Sequence, residues 1–253
     1  MEGRRNWTRE EHVMVFNLYN QLPFGKFHKG NSLVKEWAEM LGRTPSAVAL
    51  KLTNFARLDP ALQARGISGM SHGAKGEEEV WKEFAADPEN FAYESAVLVA
   101  QHKNESLVDS EDLDLPEGKD RDAKVRVRVN QAFFRKRVLS AYGFRCCVTG
   151  LRLPELLMAS HIVPWAKDKK NRLNPRNGLC LNSLHDRAFD QGLMWLDSKL
   201  CVQFSDRLLD LKASDWGDAK WMVQFAGNRL IVPKGFSPSR KLIAKHRAVA
   251  MAG

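Results

Sequence analysis

Three side chains in the C-terminal half of the chain have types and spacing that suit metal-assisted chemistry. Asp186 and Asp190 are four residues apart, so on a helix they share one face and could both reach one cation. Two carboxylates suit a hard ion such as Mg²⁺ or Mn²⁺ better than Zn²⁺. His161 lies in a short apolar segment, and an imidazole with an ordinary pKa of about 6.5 accepts a proton at neutral pH. Residues of these types can supply a general base and ligands for one divalent cation.

Each of these residues also has an ordinary structural interpretation. A single histidine on an apolar strand is usually a core residue, and Asn177 followed by Gly178 is by itself typical of a turn. Two aspartates four residues apart are common on a solvated helix face. Each residue taken singly is better explained structurally, and only their combined order and spacing within the basic half of the chain, described below, favours a functional site.

The charge of the chain is unevenly distributed. Its formal net charge is +9, and residues 118–253 contain 26 Lys and Arg against 11 Asp and Glu. Residues 105–117 contain six acidic residues and no basic one. A basic region attracts polyanions, because neutralising phosphates releases counterions, although charge by itself does not identify nucleic acid as the partner.

Four segments, taken in order, carry a resemblance to a known family. They are RCCVTG at 145–150, SHIVPW at 160–165, NPRNG at 174–178 and LHDRAFD at 184–190. This order resembles the HNH (ββα-metal) endonucleases, specifically their bacterial restriction-type subgroup, over about residues 125–250. The resemblance implies hydrolysis of phosphodiester bonds in double-stranded DNA. Such hydrolysis needs a base to activate water, a cation on the scissile phosphate and an acid for the leaving oxygen.

The resemblance also implies a role for each residue of the site. His161 corresponds to the general base, and Asn177 to the residue that holds the imidazole through a hydrogen bond. Asp186 and Asp190 occupy the positions of metal ligands, so one Mg²⁺ or Mn²⁺ ion is the expected cofactor. His185 is open between a metal ligand, a substrate contact and a buried structural histidine, and we favour a catalytic role for it.

The sequence departs from the family pattern in two places. Many relatives have an Asp or His ligand immediately before the base, but this chain has Ser160, whose hydroxyl is a poor ligand. Many relatives also carry a zinc site of four cysteines. Its positions fall here on Cys146, Thr149, Asn182 and His185, so we expect no structural zinc.

The N-terminal region, residues 1–85, is predicted to be a helical DNA-binding domain. Thr8 and Glu11 form a capping box, and Thr44 with Pro45 marks the start of a third helix. The order helix, glycine turn, helix is that of a helix-turn-helix, and the segment also resembles the Myb-like variety of that fold. A plain helical packing domain is the alternative.

The third helix of that region is expected to lie in the major groove. The side chains on or beside it that we expect to bind DNA are Arg43, Lys51, Asn54 and Arg57.

The remaining segments complete an expected α+β fold, in which a helix-turn-helix-like N-terminal domain precedes a C-terminal ββα-metal nuclease domain. Residues 86–124 are interpreted as an acidic linker, and residues 125–253 as the nuclease domain with a C-terminal extension. Within that domain, the alternation of Val125, Val127 and Val129 with polar residues predicts a short strand, and a hairpin is expected to turn at Asp197 and Ser198.

Composition excludes some classes of protein and leaves others open. The chain has no apolar run of 18 residues and no signal peptide at its start, so we expect a cytoplasmic protein without a membrane partner. Its four cysteines are too few for a disulfide framework. Two alternatives stay open: a non-catalytic DNA-binding regulator with a relic HNH fold, and an RNA-directed nuclease. Double-strand cleavage by a site that cuts one strand requires a homodimer or two binding events.

Overall fold

The computed structural model describes residues 5–64, 66, 75–108, 118–211, 219–234 and 236–252. The chain divides into two compact units, Met1–Lys136 and Arg137–Gly253. The described part of the first unit is helical. Its helices are α1 (Arg9–Tyr19), α2 (Ser32–Met40), α3 (Pro45–Leu58), α4 (Pro60–Gln63), α5 (Lys75–Ala86) and α6 (Pro88–Lys103), and the unit boundary falls within α7 (Lys119–Ala141).

Local capping fixes where the first helices begin, as the sequence predicts. Thr8 and Glu11 form the expected capping box at the start of α1. The side chain of Thr44 accepts a hydrogen bond from the backbone of Ala47, and Pro45 is the first residue of α3. These contacts satisfy amide groups that the first turn of a helix leaves without partners.

An aromatic cluster centred on Phe16 of α1 forms the core of the first unit. Its ring lies 5.3 Å from Phe55, 4.9 Å from Phe84 and 5.4 Å from Phe91, measured between ring centroids. These three rings come from α3, α5 and α6, so burial of one side chain joins four helices.

Two features of the region between the expected domains differ from the sequence prediction. Residues 88–103, which the sequence places in the expected linker, form α6 and pack against α1. The expected strand at Val125–Val129 is wrong, because these residues belong to α7. Val125 and Val129 are buried and Val127 is 41% exposed, which is the i, i+4 spacing of a helix face. Residues 109–117 of the acidic segment lie outside the described residues.

The second unit combines short strands with helices, so the expected α+β class is compatible with the structure. Its described residues form two antiparallel strand pairs, β1 (Leu157–His161) with β2 (Gly178–Asn182) and β3 (Met194–Leu196) with β4 (Val202–Phe204). The helices are α8 (Ser183–Asp190), α9 (Asp206–Leu209), α10 (Lys220–Val223) and α11 (Arg240–Ala250).

The first strand pair and α8 form a ββα unit. In the register of β1 and β2, His161 lies opposite Gly178. The helix α8 begins directly after β2 and packs on both strands. The side chain of Asn182 caps α8 by accepting from the backbone of His185. The end of β1 and one face of α8 therefore belong to one small rigid element.

The second hairpin supports α11. Its turn is the predicted one, with Asp197 accepting hydrogen bonds from the backbones of Lys199 and Cys201. Gly192, before β3, has φ +69°, and a Cβ there would lie 3.3 Å from the Cα of Ala250 in α11. Glycine is required at this close contact.

None of the described helices has both the length and the apolar character that a membrane-spanning segment needs.

Candidate active site

A ring nitrogen of His161, the last residue of β1, contacts a backbone carbonyl. Its Nε2 lies 3.0 Å from the carbonyl oxygen of Arg172. A carbonyl oxygen only accepts hydrogen bonds, so in the neutral ring Nε2 carries the proton and Nδ1 carries the lone pair. The atom that can take a proton is therefore Nδ1.

The surroundings of His161 favour its neutral form. Burial lowers the pKa of the imidazole below its ordinary value of 6.5, and the hydrogen bond to the Arg172 carbonyl offsets part of that effect. A neutral imidazole at pH 7 has the lone pair that a general base requires.

The ring of Trp165 packs against this histidine, and Arg172 contacts Trp165. The rings of His161 and Trp165 meet edge to face at 5.7 Å, with an interplanar angle of 86°. The guanidinium of Arg172 lies 5.0 Å from the centre of the Trp165 ring, and its Nε donates to the Trp165 carbonyl at 2.9 Å. These contacts restrict rotation of the imidazole.

Asn177 is fully buried, but it does not perform the expected contact with the imidazole. Its Oδ1 accepts from Val163 N at 2.9 Å, and its Nδ2 donates to Val163 O and Asn171 O, each at 3.1 Å. The prediction of a bond to the ring is wrong, because the amide is used by backbone groups of the loop. Asn177 fixes the segment that follows His161 instead of the ring itself.

Asp186 and Asp190 lie on α8, as the spacing predicts. Asp186 is half-buried and Asp190 is exposed. Desolvation and the negative charge of Asp186 raise the pKa of Asp190, while Arg187 lowers it. The two carboxylates are thus close enough to repel each other, and a cation between them would relieve that repulsion.

The donor set fits a magnesium-like ion better than an all-protein metal cage. Among the described residues, no group of three His, Cys, Asp or Glu side chains is arranged to hold a metal ion. Mg²⁺ commonly binds through one or two carboxylates and keeps several waters or substrate phosphate oxygens as its other ligands. Asp186 and Asp190 supply that number of carboxylates.

Ser160 precedes the histidine and is buried, with 3% of its surface exposed. Its hydroxyl oxygen has no hydrogen-bond partner in the described residues. A buried hydroxyl without a partner is unusual, and here it occupies the strand position next to the candidate base.

His185 is a core residue, and the catalytic role favoured from the sequence does not fit its position. Its side chain is completely buried, with Nδ1 2.9 Å from Asn182 Oδ1 and the Phe225 ring 5.7 Å away. Burial lowers the pKa of this imidazole. The residue has no exposed surface through which it could contact a substrate.

The four positions of the family's zinc site contact one another in two pairs. The backbone amide of Thr149 lies 3.4 Å from the sulfur of Cys146. Asn182 and His185 are joined by the side-chain bond described above. Cys146 and Thr149, and likewise Asn182 and His185, are therefore joined to each other by hydrogen bonds.

The side chains expected to read DNA are instead engaged inside the first unit. Lys51 Nζ lies 2.8 Å from Glu77 Oε1, and Asn54 Nδ2 donates to the same oxygen at 2.8 Å. Both residues are buried, and Glu77 is completely buried. The helix α5, which carries Glu77, packs on α3, so the expected groove-facing side of α3 is covered at these residues.

Arg43 and Arg57, the two arginines expected to bind DNA, also form ion pairs within the first unit. Arg43 donates from Nη2 to Glu11 at 2.7 Å, and its guanidinium lies 4.5 Å from the centre of the Trp7 ring. Arg57 donates to Glu78 at 2.9 Å. Arg43, Lys51 and Arg57, the three charged residues of the set, are therefore each engaged by a carboxylate of the same unit.

Sequence reasoning missed Trp165 and Arg172 as partners of the base. Trp165 belongs to the SHIVPW motif, but residue type and spacing do not indicate a role for it. The Arg172 contact uses a backbone carbonyl, which any residue supplies, and no side-chain pattern reports it.

The comparison with protein families agrees with this arrangement. Residues 146–197 match the model of a family described as HNH endonuclease. No curated protein matches the chain at the required significance. The matched segment contains β1, β2 and α8 in the order described above. Residues 146–197 of the second unit are therefore similar to HNH endonucleases, and nuclease activity is the general function that this similarity indicates.

Proposed function

We propose that this protein is a metal-dependent DNA endonuclease that hydrolyses phosphodiester bonds in double-stranded DNA, with a role in restriction or defence. The observation that carries the proposal is the ββα unit, which presents His161 at the end of a strand and Asp186 and Asp190 on the helix packed against it. A base and a cation site on one rigid element suit attack of water on a phosphodiester.

His161 acts as the general base in this proposal. Its Nδ1 takes a proton from the attacking water, while the Nε2 proton stays in the hydrogen bond to Arg172 O. That bond becomes stronger when the ring gains positive charge, because the carbonyl dipole stabilises an imidazolium. Asn177 keeps the loop at Val163 in place, so the ring does not have to be reoriented in each turnover.

Asp186 and Asp190 hold the divalent cation, Mg²⁺ or Mn²⁺. The bound cation supplies positive charge that stabilises the phosphate and the leaving oxygen. The partial exposure of Asp186 and the exposure of Asp190 leave both residues accessible to a cation that would also contact a substrate phosphate.

Nicking of supercoiled plasmid tests the activity. We expect the full chain to nick plasmid with Mg²⁺ or Mn²⁺ and to lose that activity in chelator. His161→Ala should abolish nicking while circular dichroism and duplex affinity stay unchanged, because the base acts on water and not on binding. His28→Ala, which removes an exposed histidine of the first unit, is the matched control.

The substrate arms of the same assay separate the alternatives. Nicking of plasmid without cleavage of a single-stranded RNA of equal length supports DNA as the substrate, and the reverse result supports an RNA-directed nuclease. Binding of duplex without cleavage in either metal supports a non-catalytic regulator. Comparing modified with unmodified DNA, followed by sequencing of the ends, tests the restriction role.

A further inference from the structure

A cleft in the second unit lies beside the proposed site and has no part in the chemistry described above. It is formed by the 3₁₀ turn Pro175–Asn177 and the amino end of α11. The residues that line it are Asn174, Arg176, Ser237, Pro238, Ser239 and Arg240.

Two hydrogen bonds join the walls of this cleft. Arg176 Nε donates to Ser237 O at 3.0 Å, and the backbone amide of Ser239 donates to Arg176 O at 2.8 Å. The helix α11 is also fixed to α8, because the His246 ring stacks on Phe189 at 3.6 Å and its Nε2 donates to Phe189 O at 3.0 Å. The cleft is thereby held to the helix that carries Asp186 and Asp190.

The two arginines of the cleft differ from those of the first unit that were described above. Both are exposed, and in the described part of the chain neither forms an ion pair with a carboxylate. Arg176 uses one donor for Ser237 O, and Arg240 uses one for Ser198 O. A guanidinium has five N–H donors, so each arginine keeps donors for a further acceptor.

The electrostatic surroundings of the cleft favour an anion. Residues 229–253 contain six Lys or Arg and no Asp or Glu. The first turn of α11, an 11-residue helix capped by Ser239, adds backbone N–H groups and the positive end of the helix dipole. Arg176 and Arg240 are the principal feature of the cleft, because the fork geometry of a guanidinium matches the oxygens of a phosphate.

We propose that this cleft binds a non-scissile backbone phosphate of the nucleic acid duplex that the enzyme cleaves. The proposal rests on the proposed function and adds a contact that positions the substrate. Arg176 is adjacent to Asn177 and two residues before Gly178, which pairs with His161 in the register of β1 and β2. A phosphate bound by Arg176 would therefore fix the duplex close to the base.

The test measures duplex binding by the full chain in the His161→Ala background, where no cleavage occurs. The variants are Arg176→Gln and Arg240→Gln, with Arg240→Lys to keep the charge. Lys241→Gln is the matched control, because Lys241 is exposed on the same turn of α11 but does not line the cleft. Arg176→Gln and Arg240→Gln should each weaken binding several-fold at every duplex sequence and lower the salt slope of log Kd by about 1, whereas Arg240→Lys, which keeps the charge, should keep the salt slope.

Two further measurements make the outcome decisive. In the cleaving enzyme, the arginine variants should raise KM and leave kcat unchanged, since the cleft positions substrate and does not act on the reacting atoms. Calorimetry with inorganic phosphate, at ionic strength matched with chloride, shows whether the cleft takes the free anion.

The proposal is overturned if Arg176→Gln and Arg240→Gln both bind duplex as tightly as Lys241→Gln does. It is also overturned if inorganic phosphate binds the cleft while duplex affinity does not depend on either arginine. These outcomes leave the nicking of the parent enzyme intact, so they are distinct from a failure of the proposed function. Loss of metal-dependent nicking by the parent enzyme would instead reject the nuclease assignment itself.

Discussion

Asn177 binds both polar backbone atoms of Val163, with Oδ1 2.9 Å from the amide nitrogen and Nδ2 3.1 Å from the carbonyl oxygen. Val163 is two residues after His161, so this buried amide controls the path of the chain as it leaves the strand that carries the base. The side chain thus acts on the histidine through the backbone.

Replacing this amide should damage folding and cleavage together. Asn177→Asp removes the donors to Val163 O and Asn171 O and places negative charge against two carbonyls. We expect the free energy of unfolding to fall by about 2–4 kcal/mol and nicking to fall with it, because buried acceptors lose their partners. Urea unfolding and plasmid nicking measure the two effects. Asn228→Ala, at an exposed position, is the control, and an Asn177→Asp protein as stable as that control would contradict the role.

The hydrogen bond from His161 to Arg172 predicts a single tautomer. In the neutral ring, Nε2 should be protonated and Nδ1 should not, because Nε2 faces a carbonyl oxygen. Nuclear magnetic resonance of ¹⁵N-labelled histidine measures the protonation of each nitrogen, and the His161→Ala spectrum assigns the signals. Observation of the opposite tautomer would exclude Nδ1 as the atom that accepts the proton from water.

The two aspartates of α8 should differ in their effect on metal binding. Asp186 is half-buried and Asp190 is exposed, so we expect Asp186→Asn to weaken Mn²⁺ binding by at least about tenfold and Asp190→Asn to weaken it less. Calorimetry measures the affinity, and the Mg²⁺ concentration required for nicking should rise in parallel. Asp206→Asn removes an exposed acid of α9 and serves as the control. Unchanged Mn²⁺ affinity in both α8 variants would place the ligands elsewhere.

The buried ion pair of the first unit should make stability depend on pH. Burial alone would raise the pKa of Glu77, but the adjacent His12, Lys51 and Asn54 lower it to about 2, from an ordinary value of 4.5. Because the folded pKa is depressed, the stabilisation is present above pH 4.5 and is lost as pH falls from 4.5 towards 2. Urea unfolding measured across this range gives the profile.

Glu77→Gln provides the matched variant for that prediction. It leaves the Lys51 ammonium buried without its carboxylate, so the free energy of unfolding at pH 7 should fall by about 3–5 kcal/mol. Its acid-dependent loss of stability should be smaller than in the parent protein. Glu78→Gln, which removes the exposed partner of Arg57, should cost no more than about 1 kcal/mol. Equal effects of the two variants would contradict a structural role for the Lys51–Glu77 pair.

The position of His185 predicts a stability defect without a catalytic one. His185→Phe keeps an aromatic ring against Phe225 but loses the bond to Asn182 Oδ1. We expect a loss of about 1–3 kcal/mol and unchanged nicking per folded molecule. Thermal unfolding and nicking below the transition check both parts. An inactive variant with the stability of the parent protein would restore the catalytic interpretation.

Several elements could be predicted from sequence because local contacts define them. The capping box of Thr8 and Glu11, the start of α3 at Pro45 and the turn at Asp197 each involve residues within a few positions of one another. The same holds for Asp186 and Asp190, whose common helix face follows from their spacing. Hydrogen bonds that span a few residues form in the same way wherever the chain places them.

Valine alternation shows where a local pattern was insufficient. Val125, Val127 and Val129 fit a strand period of two, but Val125 and Val129 also fit a helix period, and a segment of five residues does not separate the two. In the structure Val125 and Val129 are buried and Val127 is exposed, which is the pattern of one buried face of a helix.

Only the tertiary structure decided which polar side chains are accessible. Lys51 and Asn54 have types suited to a DNA interface, but both donate to the buried carboxylate of Glu77, which follows them by 26 and 23 residues. His185 is excluded from chemistry by rings contributed from distant segments, and the tautomer of His161 is set by a backbone carbonyl 11 residues later. Residue type and spacing determine what a side chain can do chemically. Burial and long-range hydrogen bonds determine whether solvent and substrate reach it.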